Sequence, residues 1–209
     1  KYTAFIVEKD YEGFVVGSEE KKLGIKGSST ATLFFENCKV PVENVLGEVG
    51  QGYKYAQVRL APARLTHCMR WLGAAQRAHD IATSYAYKRH AFGKKIGYHG
   101  GLAFQLTDSE IDIQMSRLFI WNTAWLLDQG EEARNESSMS KIFCSEAAFR
   151  VVDRAMQTLG GMGITDDTLV ERLFREIRPF RIYDGPSEVH RWAIAKRLMK
   201  SVAGKNIPV

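Results

Sequence analysis

The sequence predicts an α+β chain, an antiparallel bundle of long helices behind a β piece. Three observations predict it. Thr, Val, Phe and Ile cluster in short glycine-punctuated runs over residues 1–48, as in strands. From about residue 52 the apolar period changes from two to nearly four. The helical stretches that follow are long and joined by short loops, which describes a bundle.

The β piece rests on "YTAFIV" and "TATLFFENCKV", with Gly13, Gly17, Gly24 and Gly27 as punctuation. Pro41 ends the last run, and "VPVENVLGEVGQGY" is a connector that bends at its glycines. The first helix carries Leu65, Met69, Leu72, Ala75, Ala82 and Tyr85 at three- and four-residue steps, with Pro62 near its start or at a break. A second helix is expected over 101–129, burying most of Leu106, Ile113, Met115, Leu118, Trp121 and Trp125. "DQGEEARNESS" is the next turn. A third helix, 136–159, stops at the "GGMG" of 160–163 in a left-handed cap. Thr165 or Asp166 caps a shorter helix over 167–177, and a last helix runs from about Pro186–Ser187 to Ala203–Gly204. No internal repeat or low-complexity tract appears.

Composition narrows the function classes. The 209 residues suffice for one large domain, or one domain and part of another, and 45% apolar with 25% charged residues is ordinary for a globular protein. No window approaches the roughly 18 apolar residues of a membrane span. The net charge of +5 is spread among acids and suits phosphate-bearing cofactors as well as nucleic acid. The lack of a long basic run or an aromatic–basic strand argues against nucleic acid. Cys38, Cys68 and Cys144 are odd in number and far apart in sequence, which fits neither a disulfide framework nor a C-x-x-C metal site and suits a reduced intracellular setting. His67, His79, His90, His99 and His190 contain no i, i+4 metal pair and read mostly as surface or interface residues. The chain begins at Lys1 directly on a strand-like run, the look of a piece of a longer protein whose targeting signal would not be visible.

Four stretches can carry chemistry, and each has a plain structural reading beside the functional one. "RLAPARLT" (59–66) puts Arg59 and Arg64 around a proline-led helix start, where either can pair with a surface acid. "KRHAFGKK" (88–95) can be dipole compensation with a glycine cap, and "QTLGGMGI" (157–164) a helix stop. Adjacent glycines also expose backbone amides suited to phosphate. In "RIYDGPSEVHRW" (181–192), Asp184 either shapes a turn and caps a helix or acts as a base.

Taken in order, "LGIKGSSTATLFFENCKVPVENVLGEVGQGY", "KRHAFGK", "QTLGGMGI" and "IYDGPSEVHR" closely resemble the acyl-CoA dehydrogenase family, essentially from Lys1 to Leu198. The resemblance implies a C-terminal up-and-down four-helix bundle preceded by part of an antiparallel β-domain. Residues 1–50 match the second part of the family's middle β-domain and 51–209 its C-terminal helical domain, with the N-terminal helical domain absent from this chain.

The same resemblance implies FAD as cofactor and an acyl-CoA thioester as substrate, oxidised to the trans-2-enoyl form by α-proton abstraction and hydride transfer to flavin. Asp184 occupies the position of the family's catalytic base, where Glu is usual. Ala63 stands at the alternative base position and cannot take a proton. Asp is shorter than Glu by roughly 1.3 Å, so the "RIYDGP" loop is expected to bring the carboxylate closer. Gly185 and Arg64 match substrate-binding positions. Arg89, Phe92, Gln157, Gly160 and Gly161 match FAD contacts made across subunits; an arginine suits a bidentate phosphate grip. Pro186 and Glu188 stand at dinucleotide positions where Thr and Gln are common, and Gly100 where Gln is common, so those side-chain contacts are weakened. Lys26, Ser28 and Thr30 follow the family's strand pattern and equally suit sheet packing. No metal is implied. The implied partners are an electron-transfer flavoprotein and other copies of the chain, a dimer or tetramer sharing FAD sites. The implied setting is intracellular: cytoplasm in a bacterium, mitochondrial matrix or peroxisome in a eukaryote. An acyl-CoA oxidase using oxygen and a non-catalytic structural subunit of an oligomeric flavoprotein are the alternatives.

Overall fold

The structure, a computed structural model, describes residues 1–203. Gly204, at the expected end of the last helix, and the rest of 204–209 lie outside the described residues. The chain divides into two compact units, Lys1–Ala61 and the residues from Pro62 onward.

In the first unit β1 (Phe14–Glu19) pairs antiparallel with β2 (Ala31–Phe35), Phe14 opposite Phe35 and Val16 opposite Leu33, with a register shift before Glu19. The expected strand at "YTAFIV" is not one. Its residues make only single bridges, Tyr2 to Gln51 and Phe5 to Val45, because their backbone groups pair with the connector: Ile6 N–H to Asn44 O, Leu46 N–H to Ala4 O and Gly52 N–H to Tyr2 O. No apolar side chain of residues 1–60 is buried. A two-stranded ribbon of this kind has little stability of its own.

The second unit is helical. α1 (Gly52–Lys88) begins in the first unit and continues through Pro62, whose missing N–H breaks one rung of its ladder. The hairpin β3 (His90–Ala91) and β4 (Lys94–Lys95) follows, then α2 (Gly100–Asp128), α3 (Arg134–Leu159), α4 (Val170–Ile177) and α5 (Ser187–Val202). Pairwise contacts fix the directions. Asp112–Arg150, Ser116–Cys144, Phe119–Phe143 and Thr123–Ser140 run oppositely along α2 and α3. Gln76–Arg117 and His79–Glu110 do the same along α1 and α2. α3 lies at the centre, packed on α2, α4 and α5.

The buried stripe of α1 is Leu65, Cys68, Trp71, Ala75, Ala78, Ala82 and Ala86; Met69 is exposed, and Leu72 and Tyr85 are half-buried. α2 departs furthest from expectation. Ile113 is buried and Leu106 half-buried, but Met115, Leu118, Trp121 and Trp125 are exposed, the tryptophans at 62% and 59%. The face toward α3 is Ser109, Asp112, Ile113, Ser116, Ile120 and Thr123. Small residues permit the close approach, and Asp112 is satisfied by Arg150 Nε (3.1 Å) and Nη2 (2.6 Å) and Arg154 Nη1 (2.8 Å).

Several helix ends also differ from the expected caps. Phe92 (φ 51°) and Gly93 (φ 81°) are the centre of the β3–β4 turn rather than a cap of α1, the positive pair that a tight hairpin requires. α3 does end on a positive-φ glycine, Gly160 at 60°, before a 3₁₀ turn over Gly160–Gly163. Neither Thr165 nor Asp166 caps α4. Thr165 Oγ1 donates to Asp167 (2.8 Å), and α4 starts at Val170. The N-cap of α5 is Pro186, without a side-chain cap, so Asp184 is not capping it. His79 and His190 are buried, not surface, residues.

Candidate active site

The second unit gathers side chains from α1, α3 and α5 around residues 183–186. Asp184 (φ 53°) and Gly185 (φ 101°) are successive left-handed residues, so the backbone reverses sharply and turns its carbonyls inward. Each carbonyl meets a donor from a different helix. Arg64 Nε donates to Asp184 O at 3.1 Å, His190 Nε2 lies 3.2 Å from the same oxygen, and Lys141 Nζ donates to Gly185 O at 2.7 Å. The indole N–H of Trp71 donates to the hydroxyl of Tyr183. The Asp184 carboxylate turns the other way: its Oδ2 lies 3.1 Å from His67 Nε2.

Burial sets the protonation states of the frame. Lys141 is fully buried, and desolvation draws its ammonium down to about 8 against the opposing pull of Cys68 and Asp184. Desolvation also lowers the Arg64 guanidinium, with Asp184 opposing. Burial, reinforced by Arg64, pushes His190 down to about 4, so at neutral pH its ring is uncharged and Nε2–H is the donor to Asp184 O. Burial raises the Tyr183 hydroxyl. Under the loop, the Cys144 thiol and burial push the Cys68 thiol well above its usual value, so two of the three cysteines meet between α1 and α3.

Of the sequence-predicted residues, Asp184, Gly185, Pro186 and Arg64 come together here. Ala63 sits half-buried on α1, beside Arg64. Glu188, in the first turn of α5, is exposed and faces Arg191 at 4.0 Å. Arg89 and the 94%-exposed Phe92 belong to the end of α1 and the hairpin tip; Gln157, Gly160 and Gly161 are exposed at the end of α3. None of these five lines a concavity of about 380 Å³ between Tyr85 and Lys88 of α1 and Leu159 and Met162, although Lys88 precedes Arg89 and Leu159 precedes Gly160. Gly100 is exposed at the start of α2. In the first unit Lys26 is exposed, and Thr30 Oγ1 accepts from Lys22 Nζ (2.7 Å), which also donates to the Ser28 carbonyl. No group of three or more His, Cys, Asp or Glu able to hold a metal occurs among the described residues, and none of their helices is long and apolar enough to cross a membrane.

His67, Lys141 and His190 are the site residues that sequence reasoning missed. His67 follows Ala63 by four residues on a helix, hence on the same face as the alternative base position. Lys141 lies at helical spacing with Ser137, Cys144 and Ala148 on the small-residue face of α3, an unusual place for a lysine.

The profile of the family described as acyl-CoA dehydrogenase, C-terminal domain, matches residues 50–199. The chain is similar to the mitochondrial short-chain specific acyl-CoA dehydrogenase of Rattus norvegicus, 41% identical over 95% of this chain and 48% of the relative. Among solved structures it is similar to butyryl-CoA dehydrogenase from Megasphaera elsdenii, with 34% identity and a TM-score of 0.88 over 94% of this chain and 51% of that one. PigA with FAD and proline matches at 26% identity and a TM-score of 0.91 over 94% and 51% of the two chains. The chain thus spans about half the length of the relatives it matches.

Proposed function

The chain belongs to the acyl-CoA dehydrogenase family, and we propose that it supplies the catalytic base and part of the cofactor site of an FAD-dependent acyl-CoA dehydrogenase. In this reading residues 1–50 are the second part of a β-domain and 51–209 the C-terminal helical domain. The observation that carries the proposal is the Asp184–Gly185 turn, clamped through its backbone by Arg64, Lys141 and His190 while the carboxylate stays free of those clamps. Such a frame fixes a short carboxylate without neutralising it in a direct ion pair with a permanent cation. With an acyl-CoA thioester seated beside it, Asp184 removes the α-proton, and Gly185, whose Cβ position is filled by the His190 ring, meets the substrate through its backbone. The clamp answers the reach problem of the shorter acid: Asp184 in left-handed geometry is carried by the main chain, not by side-chain length.

Bound FAD supplies the two-electron acceptor for the β-hydrogen, which leaves as hydride. Arg89, Phe92, Gln157, Gly160 and Gly161 fit that cofactor. Phe92 is almost wholly exposed, Arg89 makes no ion pair among the described residues, and a Cβ at Gly160 or Gly161 would meet nothing within 4 Å, so the backbone there is open to a ligand. Glu188 does not fit a phosphate contact, because its carboxylate is exposed and acidic, and Pro186 has no N–H to donate. In the proposal the FAD sites are shared between copies of the chain, and an electron-transfer flavoprotein takes the electrons onward.

The test is Asp184→Asn in the full-length protein, assayed for acyl-CoA-dependent reduction of an added acceptor. Turnover is expected to fall by at least ~100-fold with FAD stoichiometry retained. Unchanged turnover removes Asp184 from the mechanism, and hydrogen peroxide formed without an added acceptor reassigns the protein as an oxidase.

A further inference from the structure

His67 is oriented by the motif that carries the base. Its ring meets Tyr183 edge-on, with centroids 4.9 Å apart at 69°, and Tyr183 is held by Trp71, one turn beyond His67 on α1. Arg64, His190 and Lys141 all act on the backbone of the loop; His67 instead approaches the carboxylate, with Nε2 3.1 Å from Oδ2. The two side chains keep 29% and 19% of their exposure, so the imidazole is the more open to solvent. A carboxylate that has accepted a proton is spent until that proton leaves. Imidazole is the side chain whose ordinary titration range suits it to take a proton and pass it on at neutral pH.

We propose that His67 is the proton acceptor of Asp184. The α C–H bond of the substrate breaks with its electron pair remaining on the thioester, and the proton goes to the Asp184 carboxylate at Oδ1, since Oδ2 is buried against His67. A turn of the carboxyl group passes it to the lone pair of His67 Nε2, which restores the carboxylate and forms an imidazolium, and the imidazolium returns to the neutral ring, with Nε2 free to accept again, by releasing one proton to solvent. One proton moves in successive transfers, and no oxidant is needed beyond the acceptor of the dehydrogenation itself. The proposal rests on Asp184 being the base.

The full-length holoenzyme is incubated with acyl-CoA deuterated at C2, in ordinary water, anaerobically and without electron acceptor, and the thioester is recovered for mass measurement. Wild type is expected to wash the deuterium out. His67→Gln is expected to slow washout by at least ~10-fold with KM within about threefold of wild type, a loss at the lower end for a general acid–base group. Wild type that turns the labelled substrate over with an acceptor yet returns it fully labelled without one overturns the proposal, and so does His67→Gln washing out at the wild-type rate. The first of these results needs no variant to fold. Washout that persists in Asp184→Asn instead overturns the assignment of the base and is distinguishable from both.

Discussion

Lys141, wholly inaccessible to solvent, donates its Nζ to the carbonyl of Gly185 at 2.7 Å. A lysine is rarely buried without cause, and here the cause is geometric: α3 runs beneath the turn, and only a long side chain spans the gap from its small-residue face. The ammonium also lies 5.3 Å from the centre of the Phe180 ring, a second contact that offsets part of its desolvation.

Lys141→Met keeps most of the side-chain length but removes the donor. The Gly185 carbonyl is left unsatisfied, an omission that costs about 1–3 kcal/mol. Thermal unfolding is expected at a lower temperature, and turnover falls by at least ~10-fold because the turn no longer holds the carboxylate in place. Paired calorimetry and steady-state kinetics check this; a variant with lowered stability but wild-type turnover makes Lys141 purely structural.

Gly185 is required by the backbone and by its neighbour. At φ 101° an L side chain is strained, and an added Cβ would meet His190 Nε2 at 2.7 Å. Gly185→Ala is expected to destabilise the protein by about 1–3 kcal/mol and to displace His190 from the Asp184 carbonyl. Chemical denaturation of the variant, beside a Gly93→Ala control whose Cβ would meet no atom within 4 Å, separates backbone strain from the added clash.

His190 gives the fold an acid-sensitive clamp. Its folded-state value of about 4 lies below the ordinary 6.5, so between those values the unfolded chain binds a proton that the folded chain refuses. Stability is therefore lost as pH falls from about 6.5 toward 4, and on the order of 2 kcal/mol is at stake for a group with this much shielding. His190→Gln, which keeps a donor and cannot titrate, is expected to flatten that part of the stability–pH curve. A denaturation series from pH 7 to pH 4.5 on both proteins reads the difference.

How far the sequence revealed this arrangement differs from one element to another. The change of period near residue 52 marked the helical part, and the loop positions of α2 and α3 followed from glycines and polar runs. Periodicity does not say which side of a helix its own chain covers. On α2 the apolar residues Met115, Leu118, Trp121 and Trp125 point outward, while Asp112 and three hydroxyl residues face α3. That inversion depends on Arg150 and Arg154, some forty residues away, and no local window contains it. The site shows the same division. Tyr183–Asp184–Gly185 and Arg64 could be singled out by motif, whereas His67 and Lys141 become visible only once α1, α3 and the turn are placed together.

Arg89 and Phe92 supply the last prediction. The residue after α1 has its backbone N–H bonded to Tyr85 O and its carbonyl to Ile96 N–H, so Arg89 is fixed at the root of the hairpin while its side chain reaches into solvent. Phe92, at the tip with φ 51°, exposes 94% of its surface, although its ring touches His99 edge-on at 6.2 Å. Neither side chain stabilises this unit by burial, so their removal should leave the isolated fold intact. If they instead grip a dinucleotide shared with another copy, Arg89→Ala weakens retention of FAD by at least ~10-fold through loss of a bidentate phosphate contact, and the assembly loosens with it. Phe92→Ala is expected to act in the same direction but less strongly, since no charge is lost. Flavin absorbance after gel filtration, read beside the elution volume, checks both at once: FAD retention and assembly state equal to wild type in Arg89→Ala would remove this arginine from the cofactor site.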